Sequence, residues 1–222
     1  MPPPGPFATE EGGGGALLEK LARARDLLGR ERADAPALCA ELLAEPPCRQ
    51  GELAAAQPRF HTWGVAELLL QHSLQIGEQD PSLSGHLAAL TLVVADHLDG
   101  ALHAFAVVQD LKARAWAAVG ESRRRAGELD GAEEALQAAA GCLAHGTGDL
   151  LVDAQLLEFE AAVREDQGRP GEAAALLKQA ATRYDKINQT DLLQRVLAKR
   201  DRLKQERPNP ERVTHFAFEA GR

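Results

Sequence analysis

Apolar positions along the chain recur at three- and four-residue spacing, the period of a helix with one buried face. Over residues 16–32, Leu17, Leu21, Ala24 and Leu28 recur with charges between them, which predicts an amphipathic helix. Pro36 opens a second short helix over residues 36–45, with Leu38, Leu42 and Leu43 on its apolar face. Pro46 and Pro47 end it, because proline disfavours helical geometry in the residue before it. A third short segment over residues 51–57 leads to Pro58. Ahead of these, residues 1–15 are rich in proline and glycine and read as a flexible leader.

Beyond Pro58 the pattern repeats. Ala132, Leu136 and Ala139 follow a glycine-bearing turn at 127–131, and Ala173, Leu177 and Ala180 follow another at 168–171, an offset of 41 residues. Upstream of each turn a helix-length run ends at the glycine. Residues 111–126 carry Trp116, Val119 and Gly120, and residues 151–167 carry Leu157, Glu160 and Ala161 at the matching places. Each unit is therefore helix, tight turn, helix. Gly127 and Gly168 supply the positive φ that closes the first helix, and Ala132 and Ala173 let the second approach it closely. Carried forward, the offset gives a helix over residues 190–205, started by Thr190 or Asp191, and a short one over 210–220. Carried back, Asp80-Pro81 opens a helix in which Ala88, Leu92 and Ala95 repeat the spacing, preceded by a helix over residues 60–77. The expected fold is all-α: a helical segment over 16–58 capping an array of antiparallel helix pairs over 59–102, 103–149, 150–188 and 189–222.

The unit with Trp116, Val119, Gly120, Gly127, Leu129, Ala132, Leu136 and Ala139 resembles the tetratricopeptide repeat. The next keeps Leu157, Ala161, Gly168, Ala173, Leu177 and Ala180, with Glu160 and Pro170 as departures, and Arg123 stands where that consensus has tyrosine. The period of 40 to 44 residues exceeds the family's own of about 34 and looks like the variant repeats of bacterial regulatory proteins. The resemblance implies a right-handed superhelix whose groove, lined by the first helix of each pair, binds a protein or peptide partner. Carried over position by position, it puts Arg114, Glu121 and Arg124, then Gln155, Glu158 and Glu165, then Arg195 and Arg202 in that groove. The Lys and Asn positions with which some such domains clamp a C-terminal carboxylate are Ala117, Glu121, Glu158 and Ala162 here, so no clamp is expected.

Composition narrows the function. With 45% hydrophobic but only 4% aromatic residues, the core has to be built from alanine and leucine, which suits closely packed helices. A net charge of −8 excludes the positive field of a general nucleic-acid binder. The charge is uneven: residues 59–110 hold one arginine against six acids, and residues 188–222 eight bases against five acids. That layout suits head-to-tail or charged-partner contacts, with a solvated surface the simpler account. The start lacks a secretory signal, and the longest nearly unbroken apolar stretch, residues 87–95, is too short for a bilayer, so a cytoplasmic chain without a membrane role is expected.

Reactive chemistry is sparse. Cys39, Cys48 and Cys142 have no C-x-x-C spacing and read as buried or idle thiols. Asp96, His97, Asp99 and His103 lack the spacing of a helical metal site, so these histidines read as surface or loop residues, and His61, His72 and His86 are isolated in sequence. Glu158, Glu160 and Glu165 read as a solvated face rather than as acid/base partners. Gly146-Thr147-Gly148-Asp149 lacks the lysine of a phosphate loop, and Asp149 reads as a helix N-cap. No catalytic residue, metal or cofactor is expected. Phe216 and Phe218, in the short last helix, mark an end that a second copy, a partner or a further domain would cover, packing on the preceding helix being the alternative. The leading expectation is a non-enzymatic scaffold or adaptor. A self-associating sensor of a bacterial signalling or transcription-control system comes second, and a metal-dependent helical enzyme third.

Overall fold

The computed structural model describes residues 13–205, and among them every regular element is helical. The chain forms α1 (Gly13–Ala44), α2 (Pro47–Ala56), a 3-10 turn over Pro58–Phe60, α3 (Trp63–Ile76), α4 (Pro81–Asp96) and a single-turn α5 (Gly100–His103). It continues with α6 (Phe105–Arg125), α7 (Leu129–Leu143), α8 (Leu150–Asp166), α9 (Pro170–Lys186) and α10 (Thr190–Gln205). Helices pack in consecutive pairs: α3 on α4, α6 on α7, α8 on α9, and α10 on α9. Successive first helices also touch, α3 with α6 and α6 with α8, while α1 lies on α3. No described helix is long and apolar enough to cross a membrane. The short helix expected over 210–220, Phe216 and Phe218 with it, lies outside the described residues, as does the first part of the leader.

The repeated small residues carry the pairing. Ala132, Leu136 and Ala139 on α7, and Ala173, Leu177 and Ala180 on α9, are all buried; on α4, Ala88 and Ala95 are buried and Leu92 half-buried. At Gly120 a Cβ would lie 3.1 Å from the Leu136 side chain and 3.3 Å from the Ala132 carbonyl, so α6 and α7 meet where the sequence has its smallest side chain. Gly127 and Gly168 have φ of +81° and +71°, and Asn188 takes the same left-handed conformation, +56°, before α10. At all three turns the next amide reaches back five residues: Glu128 N–H to the Arg123 carbonyl (2.9 Å), Arg169 to Arg164 (2.8 Å) and Gln189 to Tyr184 (2.9 Å). One local device thus closes three helices. Thr62, Asp80 and Asp149 cap α3, α4 and α8 by accepting from Val65, Leu83 and Leu151 amides.

The N-terminal part differs from the expectation. Residues 16–32 and 36–45 are one uninterrupted helix, which starts at Gly13, inside the stretch read as leader, and carries Pro36 within it. Pro36 and Arg32 are exposed, so water can take the Arg32 carbonyl that loses its amide partner. Ala35, Cys39 and Leu42, buried on one stripe, hold the helix through the proline. Burial also pushes the Cys39 thiol up to about 11, which leaves it protonated and inert.

Candidate binding groove

The first helices α3, α6, α8 and α10 line one face. Between α6 and α8 lies a hollow of about 330 Å³. Its base is Ala113 and Ala117, one turn apart on α6, opposite Val152 and Leu156 on α8; two alanines where larger side chains would fill the space leave it open. Leu74 from α3 and Phe159 stand at its sides, and Arg114, Gln155, Glu158 and Arg195 bring polar groups to it. A second hollow of about 390 Å³ between α3 and α6 shares Leu74 and Arg114 with the first and adds Trp63, Glu67 and Gln71. The two therefore form one trench across the helices. Leu74 remains 47% exposed at the junction, large for an apolar side chain.

The eight residues expected in a groove separate into two groups. Arg114, Gln155, Glu158 and Arg195 line the hollow. Arg124, Glu165 and Arg202 tie the helices together instead, and Glu121 holds Arg124 from within α6. Arg124 pairs with Glu121 (2.8 Å) and with Asp166 of α8, and Arg202 with Glu165 (2.8 Å). Arg195 and Glu158 pair at 3.1 Å two helical turns before that last pair, so α8 and α10 are joined by two rungs. Burial pushes the Glu121 carboxyl up, but hydrogen bonds from Arg124 and Arg125 outweigh it, and the group ends below the usual carboxylate range.

Glu158 is not part of a solvated face: its side chain is 16% exposed and accepts a hydrogen bond from the hydroxyl of the fully buried Tyr184. Tyr184 reaches through from α9, and burial together with the Glu158 carboxylate raises its hydroxyl well above the usual range. No local pattern links these residues, which are 26 positions apart on different helices. Glu160 is also half-buried, and Glu165 is paired, so the reading of these three acids as freely hydrated is corrected.

The histidines hold a second surprise. His103 is buried, not on the surface, with Nε2 3.4 Å from Glu31 of α1 and its ring 6.2 Å from that of Trp63. The other Glu31 oxygen accepts from the Trp63 amide (2.8 Å), so a carboxylate from α1 satisfies the N-terminus of α3. Ala104, at φ +58°, turns the chain between α5 and α6 at this point. His61 and His97 stack on each other, centroids 4.5 Å apart. Among the described residues no group of histidine, cysteine and acidic side chains is placed to hold a metal ion.

No protein-family model matches the chain, and neither curated proteins nor solved structures give a significant match.

Proposed function

We propose that this chain is a non-enzymatic interaction module that holds a segment of a partner protein in the trench across α3, α6, α8 and α10, the helix pairs forming a right-handed superhelical array of the tetratricopeptide type. The observation that carries this reading is the continuity of two hollows through Leu74 and Arg114, an apolar channel with polar groups along its rim. The ion pairs between successive first helices support it by holding the channel walls in register. A photo-crosslinking residue at Gln155 or Gln71, inside the trench, tests it against one at Gln137 or Lys178, on the second helices. Partner adducts confined to the trench positions are the expected result, and adducts formed equally from both faces would refute it.

Self-association is the second reading, favoured by the exposed Leu102, Phe105 and Val107 around the turn into α6. Light scattering over a concentration series checks it, with Phe105→Ser expected to return any dimer to monomer.

A further inference from the structure

Taking the trench as the partner-binding site, we infer the chemistry of the segment it holds: a protein segment with an acidic side chain that meets Arg114 beside one bulky apolar side chain that fills the hollow between α6 and α8. The charges around the trench decide this. Glu67 is gripped by both Nε and Nη2 of Arg32, at 2.6 and 2.8 Å. Glu158 is occupied by Tyr184 and Arg195. Arg114 is exposed, lines both hollows, and makes no hydrogen bond or ion pair with any described residue; Glu67 feels it only through space. Among the described residues, one uncompensated guanidinium therefore stands at the junction of an otherwise neutralised channel.

A carboxylate there gains a charge-assisted bond without breaking an existing pair. A basic segment would face Arg114 unrelieved and would have to pull Glu67 or Glu158 from its present partner. A nucleic acid needs a row of free cations, and the described residues of the trench offer one. The apolar requirement comes from Leu74, 47% exposed, and the half-buried Phe159, which stand over the nearly covered Ala113, Ala117 and Val152 and stay wet until a large side chain fills the hollow. The attraction is local, since the molecule as a whole carries −8.

The test is selection of a random-peptide display library on the immobilised full-length chain, followed by fluorescence anisotropy of the selected peptides. The expected sequences set aspartate or glutamate beside leucine, phenylalanine or tryptophan. Arg114→Glu should weaken them by about tenfold, the scale of a lost charge-assisted hydrogen bond, and should accept lysine in place of the peptide's acid. Gln155→Trp, which plugs the hollow, should abolish binding, and so should Leu74→Asp at an already exposed position, with circular dichroism confirming the fold of each variant. Selected peptides that are basic or uncharged, yet are lost in Gln155→Trp, would overturn this inference and leave the trench as the binding site. Peptides indifferent to both plugging variants, or no enrichment, would overturn the trench reading too. A dimer in sedimentation that Gln155→Trp dissociates would make the occupant a second copy and refute the proposal.

Discussion

Glu133 and Glu160 line the same small hollow beside Arg164, yet their surroundings push them in opposite directions. Arg164 and Gln167 donate to Glu133 and hold its carboxyl near 2, against an ordinary value of 4.5. Burial raises Glu160, which has no such donor, and the charges of Asp153 and Glu133 add to the effect although Arg164 opposes it. A lowered carboxyl stabilises the fold above its ordinary value and loses that contribution as the pH falls toward its folded value. Glu133→Gln should therefore lower stability in urea melts at pH 7, and the deficit should shrink between pH 4.5 and about 2. A raised carboxyl has the reverse sign, because its ionisation costs more in the folded chain than in the unfolded one. Glu160→Gln should stabilise at pH 7, and the gain should fade as the pH falls through the raised folded value and be gone below the ordinary 4.5. The two glutamates look alike in sequence. They differ because Glu133 sits on α7 within reach of a guanidinium from α8, a relation that only the packing creates.

At the scale of the element, α1 sets local preference against tertiary contact. A proline inside a helix costs about 3 kcal/mol, through the missing amide and the clash of its ring with the preceding turn. Pro36→Ala should consequently raise stability, by about 1–3 kcal/mol in chemical denaturation, since position 36 is exposed and the change removes no buried contact. The same helix meets α3 at Gly64, where a Cβ would run into the backbone carbonyl of Glu31. Backbone cannot swing aside as a side-chain tip can. Gly64→Ala should therefore destabilise by about 1–3 kcal/mol or more, and hydrogen exchange in α1 should accelerate with it. Helices α7, α9 and α10 present no such conflict: their periodicity, the positive-φ turns and the small residues agree, and their positions were legible in the sequence. Where proline punctuation and burial disagreed, over residues 16–45, the punctuation misled, because burial of Ala35, Cys39 and Leu42 outweighs one broken hydrogen bond.

Across the whole molecule the apolar core is divided. Among the described residues one cluster gathers α1 to α4 with part of α6 and Ala135 of α7, another gathers α8, α9 and α10, and a small cluster of Ala117, Ala132, Leu136, Ala139, Leu156 and Val163 bridges them. In such a chain of neighbours the bridge carries the cooperativity. Leu136→Ala should cost about 2–5 kcal/mol and separate the two ends. Trp63 packs on the first cluster and Trp116 on both the first cluster and the bridge, and neither touches the cluster of α8, α9 and α10, so in this variant their fluorescence transition should no longer coincide with the loss of helix by circular dichroism. By itself the sequence determined the helical class, the turns at Gly127 and Gly168, the start of α10 and four of the side chains that line the hollow, because helical period, left-handed backbone and side-chain size are properties of short stretches. Tertiary structure alone decided that Tyr184 grips Glu158, that His103 is buried beside Glu31, and that Arg114 has no partner among the described residues. Each of these depends on which side chains from distant helices arrive at one point, and a local pattern holds no record of that distance.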